Sequence, residues 1–403
     1  MIQKNSNLNV SMLWFGAAVS IAEILTGTML APLGLAWGFA AIIAGHFIGG
    51  FVLYLAGIIG ANEHCSSSES VQMSFGTLGS VTFSVLNVIQ LIGWITIMII
   101  IGSQAMNNLS AQLWQMPPNT LLWSIILGLA PCIWVIASNF SAGMINRVVM
   151  LCLLAASLWL GFTTAFGTEA AAAQPEGGMT FGTAVELNIA MCLSWMPVIS
   201  DYTRTLRRPF SGTLSCVACY CFGGILMYSI GLGAAIHYGT SDICDIFMLS
   251  GLGVVSLIII LLSTVTTNYI AVNSSSICLN YIFSTDGLKI GAIAVCVIST
   301  VLSVFLSMEQ YEEFLYFIAA IFAPLFAISF SEYFFTNNIR FIMKNSKLVR
   351  KNRLLWLVGF IVYEALIQTG ISTPIGITVP LMMALAFVNV ALNRFINTSR
   401  YNF

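Results

Sequence analysis

The stretch 190-AMCLSWMPVISDYTRTLRRPF-210 decides how the rest of the chain is read. It starts as an apolar helix, is interrupted at Ser194-Trp195-Met196-Pro197, and ends in Arg204, Arg207 and Arg208. Pro197 has no N–H to give and its ring crowds the preceding turn, so the helix must break in its apolar part. In lipid, backbone groups freed at that depth are tolerated only where protein buries them or a cavity receives them.

The surrounding chain sets the solvent. Of 403 residues, 58% are hydrophobic and only 7% are charged, and mean hydropathy is +0.93. A water-facing domain carries about a quarter charged residues. Continuous apolar runs recur along the sequence, and about 20 such residues cross a hydrocarbon core as a helix. The runs do not alternate, so helices are expected rather than a barrel. Glu23 interrupts the first run and no small-residue cleavage site follows, which predicts a retained span rather than a signal peptide. The expected fold class is an all-α polytopic membrane protein.

Hydropathy and breakers place twelve transmembrane helices near 10–36, 38–60, 78–106, 120–138, 144–167, 182–201, 211–236, 252–282, 288–307, 312–335, 354–371 and 375–395. With this count all fourteen Lys and Arg, from Lys4 through Arg204 and Arg353 to Arg400, fall on one side of the membrane. Basic loops mark the cytoplasmic face. The expectation is a multi-pass protein of the cell (inner) membrane with both termini cytoplasmic. The opposite loops hold only acids, Glu169, Glu176, Asp242, Asp245, Glu309, Glu312 and Glu313. The basic loop 336-TNNIRFIMKNSKLVRKNR-353 suits orientation and contact with anionic headgroups of the lipid bilayer. No loop is long enough to hold a soluble domain, so an ATP-driven pump would need a partner chain.

A second break is expected in span one, 20-SIAEILTGTMLAPLGLAWG-38, where Gly27, Pro32 and Gly34 weaken the helix after Glu23. Five crossings separate spans one and six, so they enter from opposite sides. Interrupted segments at matching positions of two inverted halves point to a transporter's midplane site. The division is residues 1–167 and 168–335 as two five-helix repeats, then 336–403 as the basic loop and helices 11 and 12.

Several polar groups lie at that depth. Glu23 is a carboxylate inside a span, where ionisable groups are expensive and mark function. Three roles are open to it: carrying a proton, lying near a cation, or accepting two parallel bonds from an amidine edge. Span eight carries 263-STVTTNYIAVNSSSICLN-280; Ser263, Thr266 and Thr267 stand at i, i+3 and i+4 on one helix face and suit a dehydrated Na+. Asn268 and Asn273 offer paired donors and acceptors for a polar ring. Trp94 and Trp195 are placed to sandwich a flat ligand, with Gln90 at its edge. Glu186 and Glu364 lie nearer span ends and read as structural, and His46 reads as packed and neutral. Cys216, Cys219 and Cys221 have no nearby His or acid and read as small packing residues rather than metal ligands.

The strings 194-SWMPVISDYTR-204, 263-STVTTN-268 and 324-PLFAISFSEYFF-335 resemble the nucleobase–cation symporter family of cytosine, purine and hydantoin permeases. The run 16-GAAVSIAEILTGTMLAPLG-34 is similar to its hydroxymethylpyrimidine transporter branch. The resemblance implies an inverted five-plus-five (LeuT-like) core with two C-terminal helices. It implies a Na+ between the span-one backbone at Val19 and Ala22 and the hydroxyls of Thr266 and Thr267, with Ser263 adjacent. It further implies ring stacking on Trp94 and Trp195 and polar contacts from Gln90, Ser194 and Asn268. Two departures stand out. Gln90 lies four residues before Trp94, where the family's cytosine permeases place it three before, and Glu23 replaces a neutral residue.

The reading is a secondary active importer of a planar amino-pyrimidine, hydroxymethylpyrimidine or cytosine-like, driven by Na+ through alternating access. Two alternatives stay open: a proton-coupled nucleobase or purine permease, and an uncoupled facilitator or channel. An amino-acid symporter on the same scaffold is less suited to flat aromatic walls. An enzyme is not expected, since His46, His64 and His237 are scattered and form no catalytic cluster. No nucleic-acid partner and no required protein partner are expected.

Overall fold

A computed structural model describes residues 7–137, 142–166, 178–251, 254–283, 288–335, 345–370 and 373–398. Lys4, Glu169, Glu176, Arg340, Lys344 and Arg400, and with them residues 336–344 of the basic loop, lie outside the described residues. Among the described residues the regular elements are helices. They run α1 Asn7–Ala18, α2 Ile21–Met29, α3 Gly34–Glu63, α4 Ser67–Trp114, α5 Thr120–Ala137, α6 Ala142–Phe166, α7 Phe181–Ser194 and α8 Met196–Thr203. There follow α9 Pro209–Tyr238, α10 Ile243–Leu249, α11 Val254–Phe283, α12 Leu288–Phe305, α13 Tyr311–Phe335, α14 Ser346–Gln368 and α15 Thr378–Thr398. Each segment read as a span falls on one helix or one bent pair. Among the described residues, five unbroken helices and the pairs α1–α2 and α7–α8 are long and apolar enough to cross a membrane.

Both broken spans lie in one bundle, where α1 and α2 pack along α9 and α3 packs against α7, α8 and α9. Beside it α4 runs along α11 and α5 along α12. The last helices, α14 and α15, are seated on α13. Outward faces are apolar; Phe387 and Phe395 of α15 are 75% and 72% exposed, as suits lipid rather than water.

Local chemistry explains the joints. The α3–α4 turn uses His64 in the left-handed region (φ 52°) and then a capping box. In it Glu69 N–H donates to Ser66 Oγ, and Ser66 N–H donates to Glu69 Oε2 at 2.7 Å. Gly76, with φ 65°, kinks α4 about two turns after the capping box. The kink frees the Ser74 and Phe75 carbonyls, and α14 takes both: Asn352 Nδ2 donates to Ser74 at 2.8 Å and Arg353 Nε to Phe75 at 2.9 Å.

Buried carboxylates tie the C-terminal helices down. Glu186 of α7 accepts Tyr363 O–H at 2.8 Å, the Ile377 and Thr378 amides at 2.9 and 3.2 Å, and the Thr378 hydroxyl. It thereby caps the start of α15, so its structural reading agrees with its surroundings. Glu332 of α13 meets Lys351 Nζ at 3.2 Å and accepts from Asn389 and Asn393 of α15.

The break in span one differs from expectation. It falls at Val19-Ser20, before Glu23, where α1 and α2 meet at 48°. Ser20 adopts extended φ/ψ and its Oγ accepts the Glu23 amide, so a serine cap makes the break. Gly27 stays helical because it is needed for packing: a Cβ there would stand 2.2 Å from the Tyr228 carbonyl oxygen. Pro32 and Gly34 form the turn into α3 instead.

Candidate functional site

At the first break three amides leave the helical ladder, in which residue i bonds i−4. Ser20 N–H turns back to Ala18 O at 3.0 Å. Ile21 N–H, whose ladder partner would be Ala17, donates across the bundle to Ser263 Oγ of α11 at 3.4 Å. Glu23 N–H, whose partner would be Val19, goes to Ser20 Oγ. The Val19 carbonyl is thereby released from the helix.

At the second break, α7 and α8 meet at 41° across Trp195, and Pro197 stands in the first turn of α8. The Val198 amide closes on Trp195 O at 3.1 Å rather than on Ser194 O. The Ser194 carbonyl accepts Gln90 Nε2 from α4 at 2.8 Å. The second Gln90 donor goes to Asn87 Oδ1 at 3.1 Å, and Asn87 Nδ2 donates to Pro197 O at 3.2 Å.

Between the breaks lies a small chamber of ≈ 30 Å³. Its lining includes Ser20, Ala22 and Glu23 from span one, Trp94 and Met98 from α4, Ser194 and Trp195 from span six, and Thr267 and Asn268 from α11. Seven sequence-predicted residues, Ala22, Glu23, Trp94, Ser194, Trp195, Thr267 and Asn268, therefore meet there. Glu23 is 2% exposed; its Oε1 accepts Tyr220 O–H at 3.2 Å, and Oε2 has no hydrogen-bond partner. Asn268 Nδ2 is likewise buried and unpartnered. Buried polar groups are rarely left so, and such orphans in one chamber point to a polar guest.

Ring contacts set both walls. Trp94 meets Tyr311 and Phe314 edge to face, with centroids 6.1 and 5.6 Å apart. Trp195 meets Trp14 at 5.6 Å and Tyr220 at 6.3 Å. Tyr220 thus touches one wall and donates to the carboxylate. Sequence reasoning missed it, since one tyrosine between two cysteines of an apolar helix carries no signal.

Other expected residues sit elsewhere. Gln90 is 1% exposed and is absent from the chamber lining, with both donors engaged at the break. Asn273 lies on a second space, a vestibule of ≈ 710 Å³ shared with Leu8, Val19, Asp201, Arg204 and Thr266. Five residues of helix turn Asn273 about 140° from Asn268, which explains the separation. The five proposed ion ligands divide likewise. Val19 and Thr266 face the vestibule, Ala22 and Thr267 face the chamber, and Ser263 is buried at the Ile21 amide. Thr266 O–H donates to its own helix, to Leu262 O at 2.9 Å, which leaves lone pairs for a cation. These residues offer hydroxyl and carbonyl oxygens only, the ligand type a hard cation takes.

The vestibule's lining reaches Asp201, Arg204 and Thr205 at the end of span six. There the Ser-Asp-Tyr-Thr-Arg string spreads its contacts: Ser200 Oγ and Thr203 Oγ1 donate to Ala56 O and Gly57 O of α3. Asp201 Oδ1 accepts the Ser67 amide at 2.9 Å. Tyr202 O–H lies 3.3 Å from Ser274 Oγ of α11. The opposite end is closed, with Tyr311 O–H 2.8 Å from Thr26 Oγ1, and Thr28 Oγ1 donating to Ser241 O.

Against known proteins, residues 3–368 match the family described as permease for cytosine/purines, uracil, thiamine, allantoin. The chain belongs to this permease family. The permease is 23% identical over 332 residues to the cytosine permease of Escherichia coli (strain K12), covering 81% of its own chain and 77% of that relative. Its fold is that of Mhp1, a nucleobase-cation-symport-1 family transporter. Against the closed conformation with bromovinylhydantoin bound, the TM-score is 0.79 at 17% identity, covering 99% of the permease and 94% of Mhp1. Against the inward-facing conformation the values are 0.78 and 15%, covering 98% and 92%. The permease is a multi-pass membrane transporter of small molecules and not an enzyme.

Proposed function

We propose that the permease is a secondary active importer of a flat, amino-substituted pyrimidine of the hydroxymethylpyrimidine or cytosine kind, coupled to Na+. The observation that carries this is the pairing of orphans in a chamber with two tryptophan walls. Glu23 Oε2 is an acceptor, Asn268 Nδ2 is a donor, and neither has a protein partner. A 4-aminopyrimidine presents the complement, an exocyclic amine to give to Glu23 and an adjacent ring nitrogen to accept from Asn268. Trp94 and Trp195 supply flat area, and Ser194 lines the same chamber. The E. coli relative, a cytosine permease, supports the substrate class.

At ≈ 30 Å³ the chamber matches about one water. A ring enters only as the walls part, so binding and conformational change are one event. Na+ would use the Val19 and Ala22 carbonyls with Ser263, Thr266 and Thr267. Bridging span one to α11, it would stabilise the arrangement that also places Glu23. Coupling requires that each ligand favour the same state.

The positive-inside pattern puts the Arg204 end in the cytoplasm, with twelve crossings of the cell membrane and both termini inside. On that orientation the vestibule would face the cytoplasm, as in an inward-facing state. The test is uptake of radiolabelled cytosine and of 4-amino-5-hydroxymethyl-2-methylpyrimidine into proteoliposomes. An inward Na+ gradient should drive accumulation above the outside concentration. Accumulation driven only by a pH gradient would favour proton coupling, and equilibration without accumulation would favour a facilitator.

A further inference from the structure

The walls of the chamber come from different spans, yet α4 governs both. It carries Trp94 as one wall, and one and two turns earlier it carries Gln90 and Asn87, which hold the backbone of the other. Gln90 grips the carbonyl before Trp195, that of Ser194, at 2.8 Å. Asn87 grips the carbonyl of Pro197, two residues after it, at 3.2 Å. Their side chains are joined at 3.1 Å, and Asn87 Nδ2 also reaches Cys278 Sγ of α11 at 3.2 Å. We infer that Asn87 is a positioning residue which, acting with Gln90 as a clip across the break in span six, fixes the gap between Trp94 and Trp195.

Donor arithmetic supports this over a direct ligand role for Asn87, both of whose polar atoms are engaged; on Gln90 only Oε1 is left without a partner. Each amide nitrogen has two hydrogens. Both of Gln90 are spent, on Ser194 O and Asn87 Oδ1, and both of Asn87 on Pro197 O and Cys278 Sγ. Flipping either amide would set oxygen against a carbonyl oxygen, so the orientation is fixed. Asn87 is fully buried, and it is absent from the chamber lining. The clip therefore acts through Trp195, and its output is the spacing of two aromatic faces. With the backbone of Trp195 held to α4, the walls part to a set spacing, which admits a flat ring and rejects a puckered one of equal polarity.

The selectivity arm rests on the proposed planar-ring substrate; the backbone arm does not. The full chain in nanodiscs, as wild type and as Asn87→Leu, is examined by hydrogen exchange without ligand. Asn87→Leu should speed exchange about tenfold or more in the peptide spanning residues 190–200, leaving α9 unchanged. Binding of cytosine and of 5,6-dihydrocytosine is then compared. The wild type should prefer the planar ring about tenfold, and Asn87→Leu should bring the ratio near unity while leaving Na+ affinity within twofold. Gln90→Leu should act alike, and the double variant should lose no more than either single one. Unchanged exchange, a retained planar preference, or additive losses would overturn the clip. A wild type that exchanges as expected but shows no planar preference would remove the pyrimidine reading and leave the clip standing. If Asn87→Leu does not fold, Asn87→Ser, too short to span to Pro197, carries the same expectations.

Discussion

Gly27→Ala tests the placement of Glu23 with a single methyl group, far enough from the ligand to touch nothing it binds. Gly27 lies one turn beyond Glu23 on α2, against α9. A Cβ at 27 would stand 2.2 Å from the Tyr228 carbonyl oxygen and 2.7 Å from its Cα, where ordinary contacts lie at 3.4–4 Å. Both obstacles are backbone, so no rotamer relieves the clash and α2 must retreat by about 1 Å. Overpacking of this kind costs about 1–3 kcal/mol of stability. The functional loss is separate. A retreat of about 1 Å stretches any hydrogen bond from Glu23 beyond useful range, and one such bond to a charged group is worth about 1.5–3 kcal/mol. Affinity for cytosine, measured by titration calorimetry in detergent with saturating Na+, should fall about 10- to 100-fold. Gly233→Ala is the control, because a Cβ there has only Thr164 Oγ1 within 4 Å, at 3.8 Å. Wild-type affinity in a folded Gly27→Ala protein would refute the reasoning.

Other expectations follow from individual contacts. Thr267→Ala should raise the Na+ concentration for half-maximal uptake about tenfold or more, read from initial rates in proteoliposomes; unchanged sodium dependence would remove Thr267 from the ion site. Glu186→Ala strips four donors at the start of α15. It should lower the melting temperature while leaving substrate affinity alone, because about 1–3 kcal/mol is lost for each buried donor left unpaired. Cys65, in the turn between α3 and α4, is buried beside Glu69 and Glu63, which pushes its thiol up to about 12. At pH 8 only about one thiol in 10,000 is then ionised, so maleimide labelling of Cys65 should be far slower than that of a free peptide thiol. Fast labelling at pH 8 would contradict its burial.

The second break was legible because Pro197 cannot continue a helix, whatever surrounds it. The first was read too late in its span. Gly27 reads as a breaker in the sequence, but glycine inside a membrane helix also serves close approach, and only the position of Tyr228 distinguishes the two uses. The true signal was in 20-SIAE-23, where a serine precedes a glutamate by three residues in the manner of a helix start. Glu23, Trp94, Trp195 and Asn268 were identifiable as polar or aromatic residues at span centres. Asn87 and Tyr220 were not, since their roles come from carbonyls and carboxylates on distant helices. Ser263, Thr266 and Thr267 share a broad helix face, and the 100° between neighbours lets Thr266 line the vestibule while Thr267 lines the chamber.

A cryo-electron-microscopy map of the full chain in a nanodisc with Na+ and 4-amino-5-hydroxymethyl-2-methylpyrimidine tests the central claim most directly. The account predicts a flat density between Trp94 and Trp195, its amine within hydrogen-bond reach of Glu23 Oε2 and a ring nitrogen within reach of Asn268 Nδ2. A ring bound in the vestibule alone, or spans one and six running unbroken through the midplane, would contradict it.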